Sequence, residues 1–137
     1  MKQTKVLAGG VFNIVHPGHE LFLKKAKALG DYLVVVIASD RTARRTKKYE
    51  LASQEMRKAG VERLAIADKV VIGDERDFMK VVRDERPDII ALGHDQKADE
   101  KALAKLLAEE GIACKVIRIK EKLGDYKTSN IIKNKKN

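Results

Sequence analysis

Lys5-Val6-Leu7-Ala8-Gly9-Gly10-Val11-Phe12-Asn13-Ile14-Val15-His16-Pro17-Gly18-His19 opens the chain with a short apolar run, a glycine pair, and then a proline at the head of an amphipathic segment. The first four residues read as a buried strand, and Gly9-Gly10 as the point where it breaks into a tight turn. From Pro17 to Leu29, Phe22, Ala26 and Leu29 recur at helical spacing, with Pro17 in a tolerated first-turn position and Gly30 just past the end. A strand therefore hands over to a helix at His16 to His19. Tyr32-Leu-Val-Val-Val-Ile-Ala-Ser39 follows as a continuous apolar strand of the kind covered on both faces of a parallel sheet. Lys69–Ile72, Ile89–Leu92 and Lys115–Ile119 are shorter strands, and helices are expected over Ser53–Ala67, Arg76–Glu85 and Asp99–Glu110. The last is the best marked: Ala102, Leu103, Leu106 and Leu107 share a face, Asp99 caps the start and Gly111 ends it.

Strands alternating with helices imply a parallel sheet joined by right-handed crossovers. The expected fold is one doubly wound, Rossmann-like α/β domain over residues 1–137, with a five-stranded parallel sheet and helices on both faces. Composition agrees. A chain of 137 residues with 44% hydrophobic content is long enough for a real core. No apolar run approaches a membrane span, the N-terminus lacks a signal peptide's long apolar stretch, and one cysteine leaves no intrachain disulfide. These features lead to the expectation of a cytoplasmic protein. The formal net charge of +9 suits an anionic partner, either a nucleic acid or a small molecule such as ATP. Three Tyr, three Phe and no Trp are few stacking aromatics for a nucleic-acid surface.

In a doubly wound sheet, ligands bind beyond the carboxyl ends of the strands, where strand order reverses. The His16-Pro17-Gly18-His19 tetrapeptide sits at such an end. Opening N–H groups of a helix lack internal partners and favour an anion. Gly9, Gly10 and Gly18 let the backbone approach a ligand closely. His16 and His19 are three residues apart, so two imidazoles lean the same way and can donate to one polyphosphate. The competing readings are a pair of structural histidines and an H-x-x-H metal pair. Cys114, far along the chain, and His94 are the only other Cys or His residues.

Gly10-Val11-Phe12-Asn13-Ile14-Val15-His16-Pro17-Gly18-His19 resembles the G-x-F-D-x-x-H-x-G-H motif of the cytidylyltransferase-like nucleotidyltransferases. The likeness runs over nearly the whole chain and is nearest to the archaeal FAD synthase branch; glycerol-3-phosphate cytidylyltransferase is a near relative. The resemblance implies transfer of AMP from ATP to FMN, with release of pyrophosphate, by direct in-line attack of the acceptor phosphate. It also implies Gly9, Gly10, Val11, Phe12, Pro17 and Gly18 at the nucleotide, His16 and His19 as catalytic donors, and no metal held by side chains of its own. A divalent cation, Mg²⁺ or alternatively Mn²⁺ or Co²⁺, would ride on the phosphates, and the relatives suggest a homodimer. Asn13 stands where the family usually has Asp: a position that orients the loop by hydrogen bonds accepts Asn, and one that needs a charge does not.

Three further segments lie at strand ends or close to them. Arg41-Thr42-Ala43-Arg44-Arg45-Thr46-Lys47-Lys48 reads either as a solvated charge run or as a mobile basic loop that folds over a triphosphate. The resemblance favours the loop and points to Lys47 and Lys48 as catalytic. Arg57 is either an ordinary exposed helix cation or the family arginine that follows this segment and contacts nucleotide. Leu92-Gly93-His94-Asp95-Gln96 resembles the family's G-x-D segment; there Asp95 takes the nucleoside's hydroxyl or amino groups, or else caps a helix. Tyr126-Lys127-Thr128-Ser129-Asn130-Ile131 resembles a C-terminal S-[ST]-x-I segment, which assigns Tyr126, Thr128 and Ser129 to the phosphates; either hydroxyl also serves as an N-cap. Glycerol-3-phosphate cytidylyltransferase activity, transfer to another phosphorylated acceptor, and a non-catalytic nucleotide- or nucleic-acid-binding module remain the alternatives. The basic tail Lys133-Asn134-Lys135-Lys136-Asn137 and Asn13 are what speak for the module.

Overall fold

A computed structural model of the chain describes residues 3–46, 50–77, 79–94, 96 and 99–120. Five strands, β1 (Lys5–Gly10), β2 (Tyr32–Ile37), β3 (Lys69–Ile72), β4 (Ile89–Leu92) and β5 (Lys115–Arg118), form one parallel sheet in the order β3-β2-β1-β4-β5. The helices are α1 (Pro17–Lys27), α2 (Asp40–Thr46), α3 (Gln54–Arg63), α4 (Lys80–Glu85) and α5 (Glu100–Glu109). The doubly wound fold expected from the alternation is present, and its strand order reverses between β1 and β4.

Side chains alternate across the sheet because the strand period is two. Val6, Ala8, Leu33, Val35 and Ile37 point to one face, where they pack with Phe12, Leu23 and Ala26 from the α1 side and Val61 from α3. Leu7, Val34, Ile90 and Leu92 point to the other, against Val82 of α4 and Leu103 and Leu107 of α5. The apolar runs carry no polar alternation because both faces are covered.

Local boundaries differ from the sequence reading in ways that have physical causes. Gly9 and Gly10 do not break the strand; they continue it, paired with Val36 and Ile37. Gly10 is required by close approach, since a Cβ there would lie 2.9 Å from the Phe12 ring. The basic segment opening at Asp40 is not a loop over its first half but helix α2. Ser39 Oγ accepts the Thr42 N–H at 3.2 Å, and Arg44 and Arg45 sit in the last turn, where cations suit the helix dipole. Ser53 is the cap of α3 rather than its first turn. Asp74 accepts the N–H groups of Arg76 and Asp77 and delays the start of α4. At α5, Asp99 caps and Gly111 takes the left-handed conformation, as the sequence implied.

At the amino-terminal edge of the sheet, Glu85 ends α4 between Lys5 Nζ at 3.3 Å and Lys69 Nζ at 2.7 Å. Burial pushes this carboxyl up, but the hydrogen bonds from Lys69 and Lys5 outweigh it, and the net shift is below the ordinary value of 4.5. A carboxyl lowered in the folded state stabilises above its unfolded pKa and loses that contribution as pH falls through the folded one. Glu85→Gln should therefore lower stability by about 1 kcal/mol at pH 7, a modest figure because both lysines are partly exposed, with the difference closing below pH 4.5. Urea unfolding at pH 7 and pH 3.5 checks both parts.

Candidate active site

The turn between β1 and α1 is built around two imidazoles. His16 is the N-cap of α1, with extended backbone, and its Nδ1 accepts the Gly18 N–H at 3.1 Å. His19, one turn on, returns the favour: its Nδ1 accepts the His16 N–H at 3.3 Å. The pair forms a capping box with histidines in the places that Ser or Thr and Glu usually hold. Gly18 is needed for this fold-back, because a Cβ there would lie 2.9 Å from the His16 ring.

The two rings stack with centroids 3.8 Å apart and planes 23° from parallel. The rings of Phe12 and His19 meet edge to face with centroids 5.1 Å apart. Phe12 itself is buried and carries φ of +52°, a conformation that a bulky residue adopts only when its surroundings impose it. An Nδ1 that accepts leaves the proton of a neutral imidazole on Nε2, so each ring is set as an Nε2–H donor. The rings lie face to face rather than converging on a point between their nitrogens.

One expectation is corrected here. The opening N–H groups of α1 have internal partners: Gly18 N–H is held by His16 Nδ1, and the His19 and Glu20 N–H groups by the His16 carbonyl at 2.9 and 3.2 Å. Among the described residues, the imidazoles rather than the bare helix end present the donors.

Arg57 is neither an exposed cation nor a group reaching toward solvent. It is 1% exposed. Its Nε donates to the Ala52 carbonyl at 2.9 Å, Nη1 to the carbonyls of Val11 and Ala38 at 3.0 and 2.8 Å, and Nη2 to Asp40 Oδ1 at 2.9 Å. The expected nucleotide contact is thereby corrected to a positioning role: the guanidinium ties the turn after β1, the end of β2 and the entry to α3 together. The helical periodicity of α3 cannot reveal this, because the partners are carbonyls from three separate segments.

Asn13 belongs to the same assembly. Its Oδ1 accepts the Ala52 N–H at 2.8 Å and its Nδ2 donates to the Glu50 carbonyl at 3.2 Å. The position orients a loop by hydrogen bonds, and the amide supplies both a donor and an acceptor where a carboxylate supplies acceptors alone. On the other side of residues 47–49, Arg45 Nη2 donates to the Glu75 carbonyl at 3.0 Å. The basic segment is thus anchored at both flanks.

At the point where strand order reverses, Gln96 joins the ends of β1 and β4: Nε2 donates to the Gly9 carbonyl at 2.8 Å and Oε1 accepts the Gly93 N–H at 2.7 Å. Arg118, at the end of β5, donates to the carbonyls of Gly93 and Gln96, both at 2.7 Å, and pairs with Glu100. Sequence reasoning gave neither residue a role, and only the neighbouring G-x-D pattern marked the segment. Beside this junction, on the α4 and α5 side of the sheet, opens a cleft of about 720 Å³. It is lined by small residues, Gly9, Ala38, Gly73 and Ala91, and by apolar side chains, Val36, Ile90, Leu103 and Leu106 among them. Arg45, Asp74 and Arg76 stand at its polar side.

Lys47, Lys48, Asp95, Tyr126, Thr128 and Ser129, singled out from sequence, lie outside the described residues. Cys114 lies just before β5, and burial pushes its thiol up to about 11. Among the described residues, no group of three His, Cys, Asp or Glu side chains is placed to hold a metal ion.

Comparison with known proteins adds to this geometry. A family model described as cytidylyltransferase-like matches residues 7–134. The chain is 49% identical over 122 residues to the FAD synthase of Aciduliprofundum boonei, covering 89% of this chain and 81% of that protein. It is 42% identical over 131 residues to the FAD synthase of Thermoplasma volcanium, covering 96% and 92%. Among solved structures, it superimposes with a TM-score of 0.84 on the lipopolysaccharide core biosynthesis protein from Thermoplasma volcanium GSS1, at 44% identity, over 88% of this chain and 98% of that one.

Proposed function

The chain belongs to the cytidylyltransferase-like family, and from that membership we propose that it is an FAD synthase: a nucleotidyltransferase that moves AMP from ATP onto the phosphate of FMN and releases pyrophosphate. Relatives of that name, 40–49% identical over most of the chain, support the activity. The observation that carries the choice of acceptor is the apolar cleft that runs up to Gly9 and Gly10. A flavin ring is a broad planar body that such a lining of small and apolar residues accommodates, whereas glycerol 3-phosphate or a sugar phosphate would leave apolar surface wet and its own hydroxyls unpaired.

In the mechanism we infer, an FMN phosphate oxygen attacks the α-phosphorus of ATP in line with the departing pyrophosphate. A phosphate monoester is already anionic, so the protein supplies position and charge rather than a nucleophile. The Nε2–H groups of His16 and His19 donate to phosphate oxygens as charge moves toward the leaving group. Backbone from Gly9 to Phe12 and at Pro17-Gly18 lies alongside, with Phe12 holding the His19 ring and Arg57 holding the turn from beneath. Lys47 and Lys48 would neutralise the triphosphate, Asp95 would receive the nucleoside, and Tyr126, Thr128 and Ser129 would bind the nucleotide. A divalent cation, for which we infer Mg²⁺, would be held by the phosphates. It would supply charge neutralisation there.

We infer a homodimer, on the exposed Ile14 and Met56 at segments joined through Asn13 and Ala52. Among the described residues no helix is long and apolar enough to cross a membrane. A cytoplasmic setting follows from ATP and FMN as substrates.

Pyrophosphate release with Mg²⁺ should appear with FMN plus ATP, accompanied by FAD on chromatography. Release only with glycerol 3-phosphate plus CTP would move the chain to the other branch of the family. Salt-sensitive nucleic-acid binding with no release from any triphosphate would favour the non-catalytic module. As a test of the cleft, Ala102→Trp, an exposed helix position on its wall, should raise KM for FMN at least tenfold while KM for ATP changes less than about threefold. Equal changes in both would place the acceptor elsewhere.

A further inference from the structure

We propose that Gln96 is a positioning residue that sets the separation of the β1 and β4 ends and thereby the alignment of donor and acceptor. The proposal rests on the phosphoryl-transfer reading given above. Its ground is a gap in the sheet. Pairing between β1 and β4 runs from Val6 with Ile89 to Ala8 with Ala91 and stops there. Each strand continues with its outer neighbour, β1 as far as Gly10 with Ile37 and β4 as far as Leu92 with Arg118. At their carboxyl ends the two central strands are therefore held from outside but not by one another.

The carboxamide of Gln96 fills that interval. It has the donor and acceptor of a peptide group, and it uses both: Nε2 to the Gly9 carbonyl and Oε1 from the Gly93 N–H. It serves as a rung of the ladder supplied by a side chain. The residue is itself immobilised, because Arg118 holds the carbonyls of Gly93 and Gln96, and Glu100 pairs with Arg118.

What the rung separates matters for the reaction. On its β1 side is the glycine pair leading into the two histidines, and on its β4 side is the turn leaving Leu92. Gln96 also lines the apolar cleft. A change in this one spacing shifts the phosphate turn relative to both substrates. In-line transfer is sensitive to displacements of this order, and such a displacement lowers turnover more than affinity.

Side chains of similar shape separate this role from mere packing. Gln96→Glu keeps the acceptor for Gly93 but sets a carboxylate against the Gly9 carbonyl; Gln96→Met keeps the volume and removes both bonds. The assay is pyrophosphate release with FMN and ATP, and amide hydrogen exchange at Gly93 is followed on the same proteins without substrate. We expect kcat to fall about tenfold to a hundredfold in both variants, KM values to stay within about threefold, and Gly93 exchange to accelerate in Gln96→Met. A folded Gln96→Met with unchanged kcat, or with unchanged Gly93 exchange, overturns the proposal. A rise in KM with kcat unchanged overturns it also, since that would make Gln96 a binding contact. If the unaltered protein releases no pyrophosphate with any acceptor and nucleotide pair, the failure lies with the proposed reaction, and the exchange at Gly93 alone decides whether the rung exists.

Discussion

Replacing His19 by alanine should lower kcat for pyrophosphate release by on the order of a hundredfold, with the protein still folded. The imidazole is set by contacts on three sides: its Nδ1 accepts the His16 N–H, its face stacks on His16, and its ring takes the edge of Phe12. The Nδ1 bond leaves the proton on Nε2, the donor that the proposed role requires. Alanine removes the donor and one acceptor of the capping box, for which the stability loss is about 1 kcal/mol. His19→Asn separates the two effects. Its Oδ1 can take the His16 N–H again, so thermal stability should return toward the starting value while turnover stays low. A folded His19→Ala protein with near-normal pyrophosphate release would sink the assignment.

The largest effect on stability is expected at Arg57. Its side chain is fully buried, and the guanidinium satisfies three carbonyls and one carboxylate. Arg57→Met fills most of the volume but strands three carbonyls and leaves the partly exposed Asp40 unpaired, and loss of several such partners destabilises by roughly 3 kcal/mol. For a domain of this size that amounts to a drop in Tm of roughly 10 °C or more. Arg57→Lys retains the charge but not the planar fork, so one ammonium cannot reach the Val11, Ala38 and Ala52 carbonyls together, and the rescue should be partial. Turnover in Arg57→Lys, measured well below its Tm, should also fall, because the Val11 carbonyl belongs to the turn between β1 and the two histidines. Thermal unfolding that moves by less than about 3 °C in Arg57→Met would show that the cluster is not what holds the turn.

Arg57 and the helix start at Pro17 mark where sequence reasoning reaches its boundary. The Asp99 cap, the apolar runs of β2 and β4 and the Gly111 terminus are local signals, and each lies in the structure where its chemistry implies. The basic run from Arg41 was read as a loop through the family resemblance, while over residues 40–46 the Ser39 cap and the dipole-favourable arginines make it helix α2. At α1 the general rule of unsatisfied helix-start N–H groups was overridden by His16, whose ring folds back on Gly18. That fold-back was written in the sequence only as a glycine beside a histidine.

By itself the sequence determined the alternation of strands and helices, hence the parallel sheet, and it placed two histidines at the end of the first strand. Those are consequences of period, capping and turn chemistry, which act between residues close along the chain. Tertiary structure decided the rest. It brought the Gln96 amide to the Gly9 carbonyl across 87 positions, gathered the Arg57 partners from three segments, and opened an apolar cleft between residues of β1, β2, β4 and α5. Such contacts carry no periodic signal, because a side chain that bonds a backbone group is indifferent to the identity of the residue bearing it.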